Sequence, residues 1–177
     1  MQTHLLSAHP AHPPGHVEAV NVAVGRDGER LSLHYTVRCP TRHLAIPRER
    51  KPDRADNLWQ TTCFELFVLG ENEGYREFNF SPSHEWAAYR FDSYREGLRE
   101  LGLDEPPKVI SSDEGYGLIL SANLRWTEDA MPKIGLSAVI EERGGIRSYW
   151  ALAHRGDKPD FHDPACFTVT LPAPRRP

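Results

Sequence analysis

The sequence predicts an all-β fold, an antiparallel β-sandwich of jelly-roll-like type with about nine strands. Three observations predict it. Short runs of alternating apolar and polar residues recur with turn signals between them, at the 8–12-residue spacing of all-β domains. No long stretch shows a helical period, and strands never alternate with helical segments as a parallel sheet would require.

Residues 1–16 are rich in His and Pro and carry no period, so they are expected to form a flexible lead-in to a single domain over 17–172. VEAVNVAV (17–24) and LSLHYTVRC (31–39) alternate around a GRDGE turn and form a hairpin. Residues 40–57 are charged, hold three prolines and lack a strand pattern; loops of this length are often functional. TCFELFVL (62–69), YREFNFS (75–81) and EWAAYRFD (85–92) follow, separated by ENEG and PSH. Residues 93–108 have room for one helical turn before a double proline. YGLILSANL (116–124), KIGLSAVIEER (133–143), IRSYWALAH (146–154) and CFTVTL (166–171) complete the set, with Gly144-Gly145 as a tight hairpin turn.

With 177 residues the chain buries a core unaided. A net charge of −4 with interspersed acids and bases leaves no nucleic-acid footprint. No apolar run approaches a membrane span. The N-terminus lacks the basic start and apolar segment of a secretory signal, so a cytoplasmic location is expected. The odd count of three widely spaced cysteines reads as free, mostly buried thiols.

Glu65 is the odd residue, a carboxylate within a strand that otherwise reads as buried on both faces. If ENEG closes a hairpin that pairs Leu69 with Tyr75, then Phe67 faces Glu77, Glu65 faces Asn79 and Cys63 faces Ser81. Phe64, Leu66, Val68, Phe78 and Phe80 then fill the opposite, core face. A carboxylate beside an amide, with aromatics nearby, matches a sugar: its hydroxyls take bidentate hydrogen bonds and its C–H face stacks on a ring. The competing reading is structural, with Glu65 paired to Arg76 or Arg90 on a solvated sheet face.

"LWQTTCFELFV", in which Trp59 precedes Glu65 by six residues, resembles the W-x-x-D-x-x-E-x-F start of family 9 carbohydrate-binding modules and the wider DOMON-like superfamily. "YREFNFSPSHEWAAYRFDSYREGL" and "SYWALAHRGDKPDFHDPACFTVTL" resemble later segments of bacterial DOMON-like proteins. The resemblance implies a β-sandwich that binds a small ligand, a sugar or glycoconjugate, without turnover. It implies that Trp59 and Trp150 clamp the ligand while Glu65, Asn79 and Arg147 hold its hydroxyls. Thr62 stands where the family pattern has Asp.

Another branch of that superfamily binds haem b through Met with His or Lys, and only Met1 and Met131 are available here. An enzyme would draw on His154, Asp160, His162 and Asp163; hydrogen bonding at a strand end is the plainer role for such histidines. Glu65 and Glu77 have the spacing of a glycosidase pair, yet no cleft-forming insertions surround them. His9, His12 and His16 sit in a proline-rich stretch that makes a poor metal cage. The expectation is therefore a binding module with no cofactor and no metal; the sequence names no partner chain.

Overall fold

The computed structural model describes residues 1–70 and 72–174. Twelve antiparallel strands form, three more than the nine runs of alternation: β1 (Gln2–Ala8), β2 (Ala19–Asp27), β3 (Arg30–Arg38), β4 (Cys63–Leu69), β5 (Tyr75–Phe80), β6 (Trp86–Phe91), β7 (Arg99–Glu100), β8 (Lys108–Asp113), β9 (Gly117–Arg125), β10 (Lys133–Glu141), β11 (Arg147–Ala151) and β12 (Val169–Thr170). They pair in one path, β7-β6-β5-β4-β10-β11-β1-β2-β3-β9-β8, with β12 against β10.

The path is continuous because β1 changes partners. Residues Gln2–Leu6 pair with β2, and Ser7 and Ala8 pair with β11. The sheet thus curls over, and its two halves face each other. Val20, Val22 and Val24 of β2, with Leu31, Leu33, Tyr35 and Val37 of β3, share one buried cluster with Phe64, Leu66 and Val68 of β4 and with Leu136, Ala138 and Ile140 of β10. The Tyr35 hydroxyl crosses this core to donate to the Glu65 backbone carbonyl at 2.7 Å.

Two expectations need correction at the level of elements. Residues 1–16 are no loose lead-in: β1 is a full strand, His9 is buried, and Glu142 accepts hydrogen bonds from the backbone N–H groups of Gly15 and His16 at 2.8 and 2.7 Å. Within β1 only Leu6 is buried, so the strand shows no apolar alternation to read. Residues 93–108 hold no helical turn and instead supply β7, which pairs with the preceding β6, and the start of β8, which forms a hairpin with β9.

The β4–β5 register is the expected one. Glu65 faces Asn79, Phe67 faces Glu77 and Leu69 faces Tyr75, while the pairing stops at Phe64 with Phe80, short of Cys63 and Ser81. The turn closes with the Gly70 N–H donating to the Gly74 carbonyl at 2.7 Å; its Glu71 lies outside the described residues. Gly144 and Gly145 carry the β10–β11 turn at φ 93° and 88°, a conformation that excludes ordinary side chains. All three cysteines are free and buried.

A polar row on the outer face of the sheet

Side chains alternate along β4, β5, β10 and β11, so each strand gives one set to the core and one to the outer face. On that outer face one row runs Ala87–Asn79–Glu65–Ser137–Ala151, fixed by the pairings of β6, β5, β4, β10 and β11. The adjacent row runs Tyr89–Glu77–Phe67–Gly135. Glu65, Glu77 and Asn79 expose only 3%, 6% and 1% of their surface.

Two segments cover this face. Residues 55–58 lay Ala55 and Leu58 over Cys63 and Ala87, ending in a 3-10 turn (Leu58–Gln60) that starts from Asn57 in the left-handed region, φ 61°. On the other side Phe161, His162 and Phe167 pack on Phe67 and Tyr75. Gly135 makes this contact possible, since a Cβ there would stand 2.6 Å from the Phe167 ring. Glu65, Glu77 and Asn79 lie between the two covers.

The hydrogen bonds within the group are sparse. Asn79 Nδ2 donates to Glu77 Oε1 at 2.8 Å, and Ser137 Oγ donates to Glu65 Oε2 at 3.3 Å. Asn79 Oδ1 is buried without a partner among the described residues. His162 Nε2 stands 3.9 Å from Glu77 Oε2, and its Nδ1 meets the Tyr75 hydroxyl at 2.8 Å. The Arg95 backbone N–H donates to that hydroxyl at 3.2 Å.

Burial governs the protonation of all three groups. It pushes the Glu65 carboxyl well above the ordinary range, helped by the charge of Glu77 and opposed by the Ser137 hydrogen bond. It raises Glu77 to about 7, against the Asn79 hydrogen bond and the more distant Arg95. It lowers His162 to about 4, with Arg95 adding to the effect. His162 is thus uncharged at pH 7, and its 3.9 Å approach to Glu77 is no ion pair.

Neither arginine of the structural reading reaches Glu65. Arg76 leaves on the core face, where it grips Glu128 and lies 4.5 Å over the Trp126 ring. Arg90 projects into solvent. Among the described residues Glu65 thus has a hydroxyl and no cation.

The five residues expected to bind a ligand do not all meet. Glu65 and Asn79 are direct neighbours. Trp59 lies on the Leu58–Gln60 turn, 50% exposed, while Leu58 beside it anchors the turn. Trp150 is on the wrong face: it is 5% exposed, belongs to the core cluster and donates its indole N–H to Ser148 Oγ at 2.9 Å. The clamp of two indoles therefore does not form. The β11 aromatic on the outer face is Tyr149, one residue earlier, with Phe161 6.1 Å away. Arg147 is on the outer face and 3.8 Å from Glu141, four residues along β11 from the Glu65 row, or about 13 Å. Thr62 is buried and structural, donating to the Ala45 carbonyl at 3.2 Å and accepting from the Glu141 N–H at 3.1 Å.

The enzyme set separates as well. His154 Nε2 meets the Ser7 carbonyl at 2.8 Å, Asp160 accepts from Arg95 at 2.8 Å and from Tyr94, and Asp163 accepts from the Ala165 N–H at 2.8 Å. Only His162 reaches Glu77. Sequence reasoning missed its place there; the one available signal was its position between two apolar aromatics, Phe161 and Phe167. Among the described residues no three His, Cys, Asp or Glu side chains are placed to hold a metal ion. Met1 and Met131 are both exposed.

Comparison with known proteins bears on the fold. The chain is similar to a crystal structure from Bacteroides uniformis described as a "putative carbohydrate-binding protein", at a TM-score of 0.68 and 15% identity over 93% of this chain and 83% of that one. At this identity the likeness shows an all-β architecture in common. No family model matches the chain, and no curated protein matches it.

Two surface concavities, about 200 and 660 Å³, lie around Arg76–Trp126 and around Arg90–Phe91. Neither includes Glu65 or Asn79. The polar row itself is buried beneath its two covers.

Proposed function

We propose that the protein is a non-catalytic module that binds a carbohydrate or glycoconjugate on the outer face of β4, β5, β10 and β11, in the manner of a DOMON-like domain. The observation that carries this reading is the buried Asn79 Oδ1, left without a partner beside two carboxyls that have no cation. A buried polar group left unpaired costs about 1–3 kcal/mol, and a polyhydroxylated ligand supplies the missing partners. The fold likeness to a protein described in carbohydrate-binding terms supports the same class.

In this reading Glu65 and Asn79 take hydroxyls, Trp59 stacks on the sugar from its exposed turn, and Tyr149 takes the stacking role that Trp150 cannot. Arg147 contacts only a ligand longer than one ring. The test is a thermal-shift screen against mono- and disaccharides, followed by calorimetry with any sugar that raises the melting temperature. Loss of that binding in Trp59→Ala and Asn79→Ala, both still folded, supports the reading. Unchanged binding in both variants, or no response to any sugar, overturns it.

A further inference from the structure

Within the Glu65–Glu77–Asn79 group the hydrogen-bonding inventory is lopsided. Glu65 Oε2 and Glu77 Oε1 each accept one bond. Asn79 Oδ1 is buried and accepts none among the described residues, and His162 Nε2 stands beyond hydrogen-bond reach of Glu77 Oε2 at 3.9 Å. Because Asn79 Nδ2 is committed to Glu77, its Oδ1 can only accept. Asn79 Oδ1 therefore lacks a donor, and the two carboxyls beside it accept only one bond each. A sugar hydroxyl carries one donor proton, whereas a protonated primary amine carries three and no acceptor.

We infer that this group selects a ligand bearing a protonated primary amine, an amino sugar in preference to a neutral one. The inference rests on the carbohydrate-binding reading for the rest of the ligand. Phe67 and Tyr89 flank Glu77 in register on either side, and aromatic neighbours suit an ammonium group. The cations nearby are spoken for: Arg95 is turned to Asp160, and Arg54 to Asp56 and Glu100.

Ammonium binding here is coupled to protons. The groups facing Glu77 are Glu65 from β4, Asn79 and Tyr75 from β5, Tyr89 from β6, His162 and Asp160 from the covering segment, and Arg95 from the turn after β6. Two carboxyls in this setting hold a proton between them near neutrality, because burial and mutual repulsion oppose full ionisation. An entering cation reverses that balance and expels the proton.

Calorimetry at pH 6 with glucosamine, glucose, N-acetylglucosamine and ethanolamine, each in two buffers of different ionisation enthalpy, tests both ideas separately. Glucosamine is expected to bind about ten-fold or more tightly than glucose or N-acetylglucosamine, with buffer-dependent heats that report proton release. In Glu77→Gln, folded by circular dichroism, that preference should shrink to about two-fold or less. Equal binding of glucose and glucosamine overturns the amine inference and leaves the sugar reading standing. Binding of ethanolamine with no sugar bound does the reverse. Binding of none of the four overturns both.

Discussion

Asn79 donates its side-chain N–H to Glu77 Oε1 at 2.8 Å while its own carbonyl oxygen, equally buried, meets nothing among the described residues. One amide thus both steadies a carboxylate and leaves an acceptor open on the same sheet face. Asn79→Ala removes the donor from a carboxyl that is almost out of water. Its urea midpoint should fall by the equivalent of about 1–2 kcal/mol at pH 8, and by less at pH 5, where a protonated Glu77 no longer depends on that donor. Equal losses at the two pH values would count against the pairing.

Glu77 makes a pH prediction whose sign follows from its raised value. Its carboxyl titrates near 7 in the folded chain and near 4.5 when unfolded. The stability it contributes is full below pH 4.5, is lost as pH rises towards 7, and stays lost above. His162 runs the other way: lowered from 6.5 to about 4, its contribution is full above 6.5 and lost as pH falls towards 4. The two slopes oppose each other in the parent, so the readout is a difference. Glu77→Gln minus parent should be near zero at pH 4.5 and should favour the variant at pH 8 by on the order of 3 kcal/mol, measured by chemical denaturation.

Glu65→Gln distinguishes a residue kept for a ligand from one kept for the fold. Glu65 has only the Ser137 hydroxyl and no cation, so the variant should melt at or above the parent temperature at pH 8. Sugar affinity should drop about ten-fold or more by calorimetry. A melting temperature many degrees lower, with affinity intact, would assign Glu65 to the fold instead.

The two tryptophans should part company. Trp150→Ala empties a core position and should cost about 3–5 kcal/mol in a denaturant melt. Trp59→Ala touches an exposed ring and should change stability by about 0.5 kcal/mol or less while weakening sugar binding.

Gly135→Ala probes the cover formed by the C-terminal segment. The added methyl meets the Phe167 ring and must displace it from Phe67. A loss of about 1–3 kcal/mol is expected, together with faster proteolysis after residue 155.

The sequence by itself determined the strand class, the nine legible runs and the register that sets Glu65 opposite Asn79. Those rest on a side-chain period of two and on a short turn between neighbouring strands, both local properties. Tertiary structure alone decided the remainder. β1 carries a single buried residue and is a strand only because β2 and β11 lie beside it. Trp150 and Tyr149 are adjacent, and which of them meets the core was settled by pairing β11 to β10, where an offset of one residue exchanges the faces. His162 reached Glu77 from 85 positions away because the covering segment folds back over Phe67 and Tyr75, a contact that no local pattern encodes.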